Sequence, residues 1–241
     1  MQWTTVWIQV TFIGMAIEAV ILGNKAMPSA SFAIAKRHQK GMEFSVISFF
    51  VALWAACMYL AMSQGHAITE VGGQEVYWGR YVTWIVTTPL LLLNLGMVAG
   101  ARPKLIAAVM GADIFMIVTG VIASWVTPPE NFIWYVISCG AFIALLWALF
   151  SEYSATARNR DPNVGKLFCT LRNVLLVLWT GYPIVWILAA QGINIISGAW
   201  SAFFYMVLDL AAKGSFGLIL TSTSSTTLAK ASNPETLNIE H

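Results

Sequence analysis

Charge is scarce in this sequence. Asp, Glu, Lys and Arg make up 10% of its 241 residues, while 58% are hydrophobic. A water-soluble domain of this size needs a largely charged and polar surface, so that class is excluded. No basic stripe is interleaved with exposed aromatics, which argues against a nucleic-acid partner. The 3 cysteines, Cys57, Cys139 and Cys169, stand far apart with no CxxC spacing. They read as small apolar fillers, not as a disulfide or metal set. There is no cleavable leader with an A-x-A site, and the first apolar run reads as an uncleaved signal anchor. No internal repeat is visible, and low complexity is confined to residues 222–227.

What fills the chain instead is a succession of apolar runs, each about 20 residues long, the length a helix needs to cross a bilayer. They predict an all-α membrane protein with seven transmembrane helices, over 4–24, 43–64, 76–99, 103–126, 131–153, 168–190 and 199–222. The domain so defined is 1–224, followed by a polar tail over 225–241. Charge sorting supports the count. Lys25, Lys36, Arg37, Lys40, Arg102, Lys104, Arg158, Arg160, Lys166, Arg172 and Lys230 fall on one side of seven alternating spans. The other side carries Glu70, Glu75 and Glu130 and no basic loop residue. The positive-inside rule then predicts an outer N-terminus and a cytoplasmic C-terminus. Trp3, Trp7, Trp78, Trp125, Trp134 and Trp200 collect at outer span ends, as interfacial anchors do.

Only two basic residues remain, Arg80 and Lys213, and both lie inside spans. Lys213 follows Asp209 by four residues, so the two share a helix face one turn apart. A lysine in mid-membrane is costly unless paired or used chemically. The pair reads either as a structural ion pair or as a lysine held for Schiff-base chemistry with Asp209 as counterion. In the third span, Arg80, Thr83, Thr87 and Asn94 form one polar stripe, interrupted by a kink-forming Pro89. Thr and Asn commonly join membrane helices, but a buried guanidinium calls for an anion. Two further acids lie within spans. Asp113 reads as a protonated carboxyl bridging two helices, and Glu18 as a protonated acid at a helix contact with no partner evident.

These stretches resemble the microbial rhodopsins. The third span holds Arg80-Tyr81-x-x-Trp84 and Thr87-Thr88-Pro89. The sixth holds Arg172-Asn173-Val174 and Leu178-Trp179-Thr180-Gly181-Tyr182-Pro183-Ile184-Val185-Trp186, and the seventh Asp209-x-x-x-Lys213. Met58-Tyr59-Leu60 and Gly111-Ala112-Asp113 add to the match, which runs from the first span to Leu220. The resemblance implies a photoreceptive ion transporter, not an enzyme, with all-trans retinal on Lys213 as a protonated Schiff base and Asp209 as counterion. It implies a retinal pocket of Trp84, Thr88, Leu91, Met116, Gly120, Tyr135, Ser138, Phe142, Trp179, Tyr182, Pro183, Trp186 and Ala212, with Tyr205 as a further wall. Tyr59 and Tyr182 match tyrosines that bond the seventh-span acid. The resemblance also implies the plasma membrane of a prokaryote, the lipid bilayer as surroundings and a homotrimer.

The departures carry the functional reading. Outward proton pumps of this family place an acid where this chain has Thr83, often another at Asn94, and two near the outer exit where it has Gln191 and Ser201. A hydroxyl or an amide cannot serve as the proton acceptor or donor near neutral pH. Arg80, the Schiff base and Asp209 sum to one positive charge, which is costly in a low-dielectric pocket. A halide at Arg80, Thr83 and Thr87 would neutralise it, with Asn94 on the cytoplasmic pathway. The expected function is therefore a light-driven inward chloride pump of the halorhodopsin-like branch, with a cyanobacterial source as one option. The triplet Thr83, Thr87, Asn94 departs from the Thr-Ser-Ala, Thr-Ser-Asp and Asn-Thr-Gln of known anion pumps. Two alternatives stay open: a sensory rhodopsin signalling to a soluble transducer through basic loops at 36–40 and 158–166, and a light-gated anion channel.

Overall fold

The computed structural model describes residues 3–26 and 39–231. Seven helices are long and apolar enough to cross a membrane. They are α1 (Trp3–Ala26), α2 (Gln39–Ser63), α3 (Gly79–Ala99), α4 (Pro103–Trp125), α5 (Glu130–Arg158), α6 (Pro162–Leu188) and α7 (Gly198–Ala231). Between α2 and α3 lies an antiparallel hairpin of β1 (Thr69–Val71) and β2 (Gln74–Val76).

The predicted spans and the helices correspond one to one, and the differences lie at the ends. The chain between the predicted spans 131–153 and 168–190 is largely helical. α5 passes through a π-helical turn at Leu149–Tyr153 and continues to Arg158. Tyr153 and Ala157 are buried there, and Arg172 of α6 donates to the Ser154 hydroxyl at 2.6 Å, so packing holds this polar stretch helical. α6 starts early because Pro162 fits a first helical turn and the Asp161 carboxylate accepts from the Asn163 N–H at 2.9 Å. The hairpin falls between the predicted spans 43–64 and 76–99, where no strand is predicted. α7 runs on to Ala231, so it takes in the first part of the 225–241 stretch; residues 232–241 and the basic residues at 36–37 lie outside the described residues. The turn from α3 to α4 uses Gly100 at φ 72°, a left-handed conformation natural to glycine, and Pro103 then opens α4.

The chain is apolar outside as well as inside. Ile17, Val136, Ile143, Trp147 and Val177 are exposed, while Arg80, Thr83, Thr87, Asn94, Asp113, Asp209 and Lys213 are buried. That inversion suits a hydrocarbon solvent, in which helices associate by close packing and internal polar contacts and not by water exclusion. α1 packs on α2 and α7, α2 on α3, α3 on α4, α4 on α5, and α6 on α7 and α3. α3, the most buried span, therefore runs through the centre and carries its polar stripe there.

Candidate functional site

Asp209 is the hub. Its carboxylate is fully buried and accepts from four side chains on four helices. Tyr59 of α2 donates to Oδ2 at 2.5 Å, Trp84 Nε1 of α3 to Oδ1 at 3.1 Å, and Tyr182 of α6 to Oδ1 at 2.7 Å. Lys213 Nζ, one turn along α7, bonds Oδ1 at 2.6 Å. This is the one ion pair among the described residues. A buried pair is stable only when its remaining hydrogen-bonding capacity is met, and here the carboxylate is fully used.

Trp84 and Tyr182 also border a cavity. Tyr81, Trp84 and Thr88 of α3, Met116, Ile117 and Gly120 of α4, and Tyr135, Ser138, Cys139 and Phe142 of α5 line it. Trp179, Tyr182, Pro183 and Trp186 of α6 and Tyr205 of α7 complete the wall. Tyr135 and Trp186 stack with centroids 4.6 Å apart and planes 11° apart, making a flat surface. A Cβ on Gly120 would project towards Ser138 Oγ at 3.5 Å, so glycine there keeps the slot open. Leu91 and Ala212, predicted as pocket residues, are buried in the core cluster against which the cavity-lining Met116, Phe142 and Tyr182 pack. Tyr81, Ile117 and Cys139 line it and were missed as pocket residues. Helical period held the signal: 81, 84 and 88 share one face of α3, and 135, 138, 139 and 142 one face of α5. Ser124 was also missed; it pairs with the Tyr81 hydroxyl at 2.5 Å and accepts from Trp186 Nε1 at 2.9 Å.

An apolar, aromatic slot walled by Trp84 and Tyr182, which bond the same buried carboxylate as Lys213, fits one class of group well: a long flat polyene carrying a carbonyl. The family comparison agrees. Residues 2–227 match the family described as bacteriorhodopsin-like protein. This chain belongs to the bacteriorhodopsin-like family of microbial rhodopsins. The family includes light-driven ion pumps, uses retinal bound to a lysine and is made of multi-pass membrane proteins. The chain is 42% identical over 227 residues to a bacteriorhodopsin of Haloterrigena sp. (strain arg-4), covering 92% of this chain and 88% of that one. The crystal structure of a cyanorhodopsin from the cyanobacterium Calothrix sp. NIES-2098 superposes with a TM-score of 0.90 at 52% identity, covering 97% of this chain and 100% of that one. A light-driven proton pump from Leptosphaeria maculans superposes with a TM-score of 0.84 at 30% identity, covering 95% and 97%. These relatives bear the names of bacteriorhodopsins, cyanorhodopsins and a proton pump. None of the three is named as an anion pump.

The polar stripe of α3 differs from the hub in kind. Arg80 is buried between the rings of Tyr77 and Tyr205, 4.9 and 4.7 Å from their centroids, and its Nε has no hydrogen-bond partner. The Thr87 hydroxyl and Asn94 Oδ1 are likewise buried and unpartnered. Asn94 Nδ2 reaches only Ser48 of α2, at 3.4 Å. Thr83 is different: its single hydroxyl proton goes to the Gly79 carbonyl at 2.9 Å. Asp113 accepts from Thr88 at 2.6 Å and so links α3 to α4 at the cavity wall. Gln191 stands apart from the stripe, in the α6–α7 connection. Its Nε2 donates to the Glu75 carbonyl at 3.3 Å and its own carbonyl accepts from Asn131 at 2.7 Å. Ser201 is buried at the start of α7.

Proposed function

We propose that this chain is a light-driven inward anion pump with chloride as its cargo. The observation that carries the reading is the pair of unpartnered buried donors on one stripe, Arg80 Nε and the Thr87 hydroxyl, in a chain with no acid at 83 or 94. Arg80 and Lys213 contribute two positive charges against the single negative charge of Asp209. A unit charge about 4 Å from one of them gains about 4 kcal/mol at an effective dielectric near 20. Desolvating the anion costs several kcal/mol, so one cation alone falls short and two cations with a hydroxyl donor are needed.

Retinal on Lys213 supplies light absorption and an isomerisation that turns the lysine nitrogen and its proton. The protein's own groups supply the rest. Arg80 would hold an incoming anion near Lys213, and the Thr87 hydroxyl, one turn beyond Thr83, is the next unpartnered donor along the stripe. Thr83 joins as a ligand only if its hydroxyl leaves the Gly79 carbonyl. Asn94, loosely held by Ser48, opens the way out. This direction is inward given an outer N-terminus, which the sorting of basic residues supports. A homotrimer is proposed from the family resemblance.

The names of the relatives favour a second reading, an outward proton pump. It requires a proton acceptor near Lys213, and neither Thr83 nor Asn94 is an acid. Illumination of cells suspended in chloride separates the two. An inward anion pump draws protons in passively, so the medium becomes alkaline, more so with a protonophore, and not at all in sulfate. Acidification that a protonophore abolishes would establish the proton pump. No steady pH change would favour a sensor, and current reversing with the chloride gradient a channel.

A further inference from the structure

Glu18 is a buried acid that the site above leaves unused. Its place follows from the register of α1 against α7, which run parallel. Gly14 meets Leu210, Glu18 meets Gly214, Leu22 meets Gly217, and Lys25 Nζ bonds the Thr221 hydroxyl at 3.3 Å. Glu18 therefore sits one residue beyond Lys213, towards the end of the bundle where Asn94 meets Ser48. A Cβ on Gly214 would stand 3.5 Å from Glu18 Oε2, so the carboxyl rests against the backbone that follows the lysine. Oε1 is buried without a hydrogen-bond partner. The charged groups that act on Glu18 are Lys213 and Asp209, both on α7. From α2, the small apolar Ala52 and Ala55 pack at this level, and the titratable Tyr59 beyond them is committed to Asp209.

We propose that Glu18 is a titratable second counterion to Lys213, supplied from α1 where Thr83 leaves α3 without one, and that its ionisation competes with anion binding between Arg80 and Lys213. This rests on the anion-pump reading. With Glu18 neutral, Arg80, Lys213 and Asp209 sum to +1, and an external anion completes the balance. With Glu18 ionised, the sum is zero and the site has no need of one. Carboxylate and halide supply the same missing charge, so each disfavours the other, reciprocally. Halide binding then takes up a proton on Glu18. Halide affinity is full below the titration of Glu18 and falls with rising pH by up to about tenfold per unit.

The test is a halide titration of the retinal-loaded protein, read as absorption shift, from about pH 5 to 9, for wild type and Glu18→Gln. The wild type is expected to lose halide affinity as pH rises, and E18Q to bind halide equally across the range. A pH-independent affinity in the wild type, or a pH dependence that E18Q retains, overturns the proposal. Halide-free sulfate separates failure of the anion reading from failure of this one. There the wild type is expected to shift to longer wavelength on acidification, as the counterion is lost, and E18Q to show no such transition. If halide shifts neither protein, the anion reading fails, and this sulfate titration still decides for or against Glu18 as counterion. A readout on the wild type alone guards against a variant that misfolds. At fixed pH, halide is expected to raise the infrared C=O stretch of protonated carboxyl, and no rise contradicts the proposal.

Discussion

Asp209 and Arg80 lie in the same bundle interior, and their surroundings differ in how far they satisfy them. Asp209 accepts from Tyr59, Trp84, Tyr182 and Lys213. Arg80 has an ion pair with none of the described acids, and its Nε, the Thr87 hydroxyl and Asn94 Oδ1 are unpartnered. A fully bonded buried network fixes geometry, since any displacement exposes a charge at low dielectric. A stripe of unpartnered donors and acceptors is costly unless something visits it. The contrast divides the interior: the hub fixes the lysine, and the stripe carries the unpartnered groups on which the proposed anion site rests.

The largest effect is expected from removing the lysine. Lys213→Ala should form no visible pigment with added retinal, and it should destabilise the apoprotein by about 3–5 kcal/mol in thermal unfolding, because Asp209 is left buried and unpaired. A visible band retained in this variant would break the assignment of the hub. Thr83→Asp comes next. It adds to α3 the carboxylate that the stripe lacks, and it should abolish the halide-dependent absorption shift at neutral pH while leaving pigment formation intact. Persistence of that shift would mean that the stripe does not hold the anion.

Smaller effects sharpen the same contrast. Thr87→Val keeps the shape and removes one unpartnered hydroxyl. Loss of a donor to a charged ligand is worth about 1.5–3 kcal/mol, so halide affinity should fall by about 10- to 100-fold in an absorption titration. Tyr59→Phe removes one of four donors to Asp209. The other three remain, so thermal stability should fall by only about 1–2 kcal/mol and halide affinity should barely move. A reversal of these two outcomes would exchange the roles of hub and stripe.

The seven helices were legible because a bilayer demands long apolar runs and sorts basic loops to one side. Helix ends were less so. The 154–158 turn is polar in sequence and is held helical by Ser154, Ala157 and Arg172 packing at the α5–α6 junction. Asp209 and Lys213 were readable from their spacing, and Trp84, Tyr182 and Trp186 from motifs. Leu91 and Ala212 resembled pocket residues, and they lie in the core cluster against which the cavity wall packs. Thr83 looked like a free anion ligand. A helical threonine often turns its hydroxyl to the carbonyl four residues back, and this one does. Glu18 was opaque for a plainer reason. Its meaning depends on a register between α1 and α7, near 196 residues apart in the chain, that no local pattern encodes.

The central claim is that an anion completes the charge of the Arg80–Lys213–Asp209 site. Its most direct test is the absorption spectrum of the retinal-loaded protein, taken from halide-free sulfate to high chloride at constant ionic strength and mildly acidic pH. The account predicts a saturable shift of the visible band with chloride, reversed by dialysis into sulfate. A spectrum that stays the same across the whole chloride range would contradict it.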